Sequence, residues 1–146
     1  MQKIIISVIL CCIALLTACN TQPDRVVMSD VNVAAWQEMA TLTYQNKAIE
    51  RCDMNVILHV NRHFSANEIA LLITTFTPDS LRHTEQVTIP VEFTWSQPTA
   101  TSADVELAYR RNVELKHKGE YIFQITPIES IKGVEAVGIN FHDKNR

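Results

Sequence analysis

Side chains that alternate apolar and polar over most of the chain limit what it can fold into. From about residue 40 onward the dominant period is two. In "NVILHVN", Val56, Leu58 and Val60 share one face, and Asn55, Ile57, His59 and Asn61 the other. "QVTIPVEF" sets Val87, Ile89, Val91 and Phe93 against Thr88, Pro90 and Glu92. "DVELAY" groups Val105, Leu107 and Tyr109; "EYIFQIT" groups Tyr121, Phe123 and Ile125; "AVGINFH" groups Val137, Ile139 and Phe141. Successive side chains of a strand point to opposite faces, so each segment reads as a half-buried antiparallel strand. Pro90 has no N–H to give a ladder, which places its strand at an edge or a bulge. About seven such strands close most readily as a two-sheet antiparallel β-sandwich, an all-β fold.

Two segments are ambiguous. "SANEIALLITTF" begins like a helical capping box, with Glu68 three residues after Ser65. Its β-branched and aromatic content, Ile69, Ile73, Thr74, Thr75 and Phe76, favours a strand. "DVNVAAWQEMATLTY" is compatible with a helical turn at Asp30 followed by a strand near Thr41. Thr77-Pro78-Asp79-Ser80 and Lys118-Gly119 carry turn chemistry.

The head of the chain has a different character. Lys3 precedes an apolar run from Ile4 to Leu16, after which the sequence turns polar at "NTQPDR". This is the layout of a secretory signal peptide, and the run is shorter than the ~20 residues that a spanning helix needs. Leu16-Thr17-Ala18-Cys19 resembles a bacterial lipobox. The resemblance implies thioether lipidation of the Cys19 thiol and cleavage between Ala18 and Cys19. The expected organisation is a signal peptide over 1–18, a lipid-anchored tether over 19–33 and a β-sandwich domain over 34–146. With Cys11 and Cys12 removed and Cys19 acylated, Cys52 is left as a single thiol with no disulfide partner.

Thirteen Lys and Arg against sixteen Asp and Glu give a formal net charge of −3 with no basic patch, which argues against nucleic acid as a partner. Five histidines raise the question of a metal. His59 and His63 are four residues apart, which on a strand is about 13 Å, too far for one ion. The sequence "HVNRH" also lacks the glutamate of H-E-x-x-H. No metal site is expected. There is no G-x-S-x-G, and three glycines leave no Gly-rich phosphate loop, so no cofactor is expected either. Asp104 and Glu106 share a strand face, the arrangement of paired glycosidase carboxylates, but a solvated face is the better explanation. The charges of "RHTEQ" and "YRRN" read as outward and solvated. Trp95 continues the register of Phe93 and is expected in the core. Trp36 is left as the candidate binding residue.

The segment from about Trp36 to Phe141 resembles the gliding-motility-associated lipoproteins of the GldH family, found in Bacteroidota. The similarity is carried by Gly119-Glu120-Tyr121-Ile122-Phe123-Gln124-Ile125 and by Ile131-Lys132-Gly133-Val134-Glu135-Ala136-Val137-Gly138-Ile139, with support from "DMNVILHVNRHFSANEIALLITTFTPDS". Where the family tends to have a Gly-rich loop, this chain has "SQPTATSAD". The resemblance implies a non-enzymatic lipoprotein of the cell envelope that docks on motility or secretion machinery and carries no catalytic residues. An outer-membrane anchor facing the periplasm is expected. The competing expectation is a glycan-binding sandwich that uses Trp36 and Trp95.

Overall fold

The computed structural model describes residues 25–143. The expected signal peptide, Ala18, Cys19 and the first part of the expected tether lie outside the described residues. Eight strands follow one another: β1 (Arg25–Asp30), β2 (Ala40–Asn46), β3 (Glu50–Asn61), β4 (Glu68–Phe76), β5 (Arg82–Pro90), β6 (Ser102–Leu115), β7 (Gly119–Pro127) and β8 (Val134–Asp143). They form two four-stranded antiparallel sheets, ordered β1-β8-β3-β6 and β2-β7-β4-β5. Among the described residues there is no helix. The all-β sandwich inferred from the alternation is present, with one strand more than the count of seven.

The extra strand is β1. Residues 25–33 are not a free tether: Arg25 to Asp30 pair along their length with Phe141 to Ala136 of β8. "SANEIALLITTF" resolves as β4, which pairs on both sides and so fills its backbone hydrogen bonds with ladder partners. Asp30 closes β1 instead of opening a helical turn. Pro90 is the last residue of β5, and β5 is an edge strand.

The alternating residues meet between the sheets. Leu42, Leu58, Ile73, Phe123, Ile125 and Ile139 are all buried there. Burying a side chain of this size is worth roughly 1.5–3 kcal/mol. Tyr44 stacks on Phe141, with ring centroids 4.0 Å apart, and Phe123 tilts against the same ring at 5.9 Å.

The two ends of the sandwich differ. One end receives the connections 31–39, 62–67, 91–101 and 128–133. Trp36 plugs it, exchanging backbone hydrogen bonds of 2.8 and 2.9 Å with Ile131 and donating from Nε1 to the Glu38 carbonyl at 2.9 Å. Phe64 packs there as well. Gly133 permits this closure, because a Cβ at its position would lie 2.3 Å from the Phe64 nitrogen and its φ is +77°. The other end carries the turns 47–49, 77–81 and 116–118, and the sheets part there along the β5 and β6 edges. Gly133→Ala is expected to destabilise the fold by about 1–3 kcal/mol through overpacking and strain. Gly119→Ala, whose Cβ would meet Pro78 at 3.1 Å, is expected to cost less. Urea unfolding of the two variants measures the order.

Candidate functional site

Period two continues along β5 past its apolar half. Ile89 and Val87 face Ile69 and Leu71, and the next two inward positions are Glu85, opposite Ile73, and His83, opposite Thr75. The inner face of an edge strand therefore changes from aliphatic to titratable as it approaches the turn end. An inward charge on an edge strand also discourages edge-to-edge pairing.

Strand β6 supplies the other wall. Its ladder with β3 slips twice, between Cys52 and Met54 and between Met54 and Asn55. Tyr109 is the extra residue of one slip; Arg111 and Asn112 fall in the other, where Asn112 has φ +55°. Asp53 stabilises the second by accepting the Asn112 N–H at 2.7 Å and pairing with Arg111 at 3.3 Å. Bulges bend a strand and re-aim its side chains. Here Tyr109 and Arg110 both reach Glu85: the Tyr109 hydroxyl donates at 2.6 Å and the Arg110 guanidinium makes an ion pair. Partial burial opposes ionisation of Glu85, but the Arg110 and Tyr109 hydrogen bonds outweigh it and hold the carboxyl below its usual range. Burial and the neighbouring Glu85 push the Tyr109 phenol up. Thus "RHTEQ" and "YRRN" are not simply solvated charge. Glu85 points inward, because the period of Val87 and Ile89 does not stop, His83 stays exposed at the mouth beside it, and the bulges turn Arg110 towards Glu85.

Between this clasp and the turns lies a cleft of about 330 Å³. Its floor is core: Met54, Tyr121, Phe123 and Leu115. Its rim includes Asp79, Leu81, Lys116 and His117. The volume falls at the low end of small-ligand sites, and an apolar floor with few polar groups is their usual make-up. Asp79 accepts from the Thr77 hydroxyl and lies 3.4 Å from His117. On the far lateral side of the same end, Arg25 pairs with Glu50 and donates to the Tyr44 hydroxyl at 2.6 Å, joining β1, β2 and β3. Burial pushes the Tyr44 phenol up to about 12.

The residues singled out from sequence fall elsewhere. Trp36, the candidate binding residue, has no exposed surface and serves as the end plug. It cannot offer a face to a sugar. Trp95 lies at the margin of the core, not within it; the Arg62 guanidinium stacks 4.1 Å from its ring centroid. Arg62 also donates to the Gln97 and Pro98 carbonyls, so the two side chains pin the 91–101 connection. Asp104 and Glu106 are on the outer face of the β1-β8-β3-β6 sheet. Asp104 lies 2.7 Å from His59 Nδ1. Glu106 accepts from Asn55 at 2.9 Å, Asn140 at 3.1 Å and His142. The two carboxylates serve separate partners and do not flank a shared cavity. His63 stands beyond the end of β3, in the following turn. Cys52 is buried, and burial pushes its thiol up to about 11, the condition of an inert core cysteine.

The chain matches no known family model and no curated protein. The cleft could have been suspected from sequence only by carrying the period of β5 through Glu85 and His83.

A lowered carboxyl pKa in the folded state adds stability above the unfolded value near 4.3, and this is lost as pH falls through the folded pKa. Glu85→Gln is therefore expected to cost about 1–2 kcal/mol at pH 7 and almost nothing near pH 2. Denaturant midpoints of both proteins at the two pH values check this.

Proposed function

We propose that the chain is a lipid-anchored accessory protein of the bacterial cell envelope, held by Cys19, that acts by binding and not by catalysis. The observation that carries the reading is the juxtaposition of Leu16-Thr17-Ala18-Cys19 with Arg25, the first residue of β1. An apolar leader ending in an acylatable cysteine is followed almost at once by a folded sandwich. The resemblance to the GldH family fits this reading in structural terms. Tyr121, Phe123 and Ile125 of its first motif are core, and Gly133 and Gly138 of its second sit where backbone or side chains approach closely. On this reading the partner is a protein complex of the envelope, of the motility or secretion type, and the anchor lies in the outer membrane facing the periplasm. The non-catalytic part is supported by the placement of the reactive candidates. Cys52 is buried and protonated, and Asp104 and Glu106 are committed to separate hydrogen-bonding partners.

Metabolic labelling with a palmitate analogue tests the anchor. Wild type should label and Cys19→Ala should lose at least nine-tenths of the signal. Crosslinking of the membrane fraction should then recover envelope proteins with the wild type. Equal labelling of both forms would refute the anchor, and labelling with no recovered partner would refute the accessory role.

A further inference from the structure

The cleft and the start of β1 are at the same end of the sandwich. Arg25 pairs with Phe141 beside the turn end, and Leu115 pairs with Glu50 there. Ile49 and Leu81, 65% and 64% exposed, are the most exposed large apolar side chains among the described residues, and both stand on turns of this end. The three turns carry Lys47, Lys116 and Lys118 against Asp79 alone. Asp79 is already engaged by Thr77 and His117. The four connections of the opposite end carry Glu38, Glu92 and Glu129 against Arg62 and Lys132. A chain of negative net charge thus places at one pole three lysines that have no acidic partner among the described residues, together with exposed aliphatic tips. Apolar tips amid lysines are what a protein lays on an anionic bilayer.

We propose that the cleft takes one acyl chain of an anionic membrane lipid, with Lys116 at the rim receiving the head group and Ile49 and Leu81 resting in the bilayer interface. The inference rests on the lipid-anchored reading for its orientation. Only residues 20–24 separate Cys19 from Arg25, a reach of about 20 Å at most, so an anchored sandwich keeps this end against the membrane. The chemistry of the cleft is that of an amphipathic anion. Its floor of Met54, Tyr121, Phe123 and Leu115 is apolar. Of its basic side chains, Arg110 is neutralised by Glu85, and the histidines His83 and His117 lie beside Glu85 and Asp79. Glu114 also lines the cleft, but it lies 3.6 Å from Arg51, and Lys116 is the lining cation that has no acidic partner among the described residues. An acyl chain continues the core outward, and its head group answers that charge.

The test uses the chain from residue 19 on carrying Cys19→Ser, which holds every described strand and no lipid of its own. The probe is 11-(dansylamino)undecanoic acid, followed by fluorescence. Saturable one-to-one binding displaced by palmitate is expected. Thr75→Trp fills the cleft and should weaken it at least tenfold. Lys116→Glu should weaken it several-fold, and Leu72→Asp, on the outer face of the β2-β7-β4-β5 sheet, should leave it unchanged. Leu81→Asp, at an exposed position that the fold does not need, should reduce partition onto phosphatidylglycerol vesicles. No saturable binding, or equal binding by Thr75→Trp and Leu81→Asp variants, overturns the proposal. In a second arm, lipidated protein in vesicles with a photoactivatable phosphatidylglycerol should crosslink within residues 109–123. Probe binding without that crosslink means that the protein's own acyl chain fills the cleft, which overturns the membrane-lipid source. Because the probe assay needs no anchor, a failed Cys19 label and a failed cleft are read separately.

Discussion

Two sheets share one apolar layer, and neither sheet closes on itself. Every other feature answers that constraint. An open sandwich has four edge strands, here β1 and β6 in one sheet and β2 and β5 in the other. At each side the two edges must be tied together or left apart. On the β1–β2 side Arg25, Tyr44 and Glu50 make the tie, and on the β5–β6 side Glu85, Tyr109 and Arg110 do so. Both ties use one carboxylate, one guanidinium and one phenol at the margin of the apolar layer. Charge-assisted hydrogen bonds of this kind tolerate a half-wet position that an aliphatic contact would not exploit. They are placed where the apolar layer thins, so the sandwich ends in polar struts with the cleft beyond one of them.

The contrast between the ends has the same origin. The plugged end is closed by an indole brought in by the 31–39 connection, and by Gly133, whose missing Cβ lets the Asn61–Phe64 turn seat against it. At the other end the described strands are connected only by short turns. The floor of the cleft is the last layer of the core, and among the described residues the turn side chains Asp79, Leu81, Lys116 and His117 stand at its rim.

The fold was legible because its evidence is local. Alternation in β3, β5, β7 and β8 tells which residues face inward without reference to any partner. Strand β1 was not legible: "RVVMSD" is short and ends polar, and it becomes a strand only because β8 offers it an edge. Tertiary pairing overrode a sequence that reads as a linker. Trp36 was placed on the wrong side of the surface for a similar reason. Its segment has no period, so its burial depends on the bridge to Ile131, almost a hundred residues later. The cleft was hidden because Glu85 and His83 break the rule that inward positions are apolar, and because the bulges of β6 cannot be read from "YRRN". Departures from local rules are expected where a protein does something other than pack.

Strand β8 lies between β1 and β3, yet it is the last strand of the chain. Strand β1 has no other partner in its sheet. A chain emerging N-terminus first can join β3 to β6 and assemble all of the second sheet while the first still lacks its middle. The segment nearest Cys19 stays unpaired until residues 134–143 arrive. Contacts of this sequence separation form slowly. Such a topology acts as a timing device: β1 locks down only when residues 134–143 have been delivered, so the first described strand is the one that waits longest for its partner.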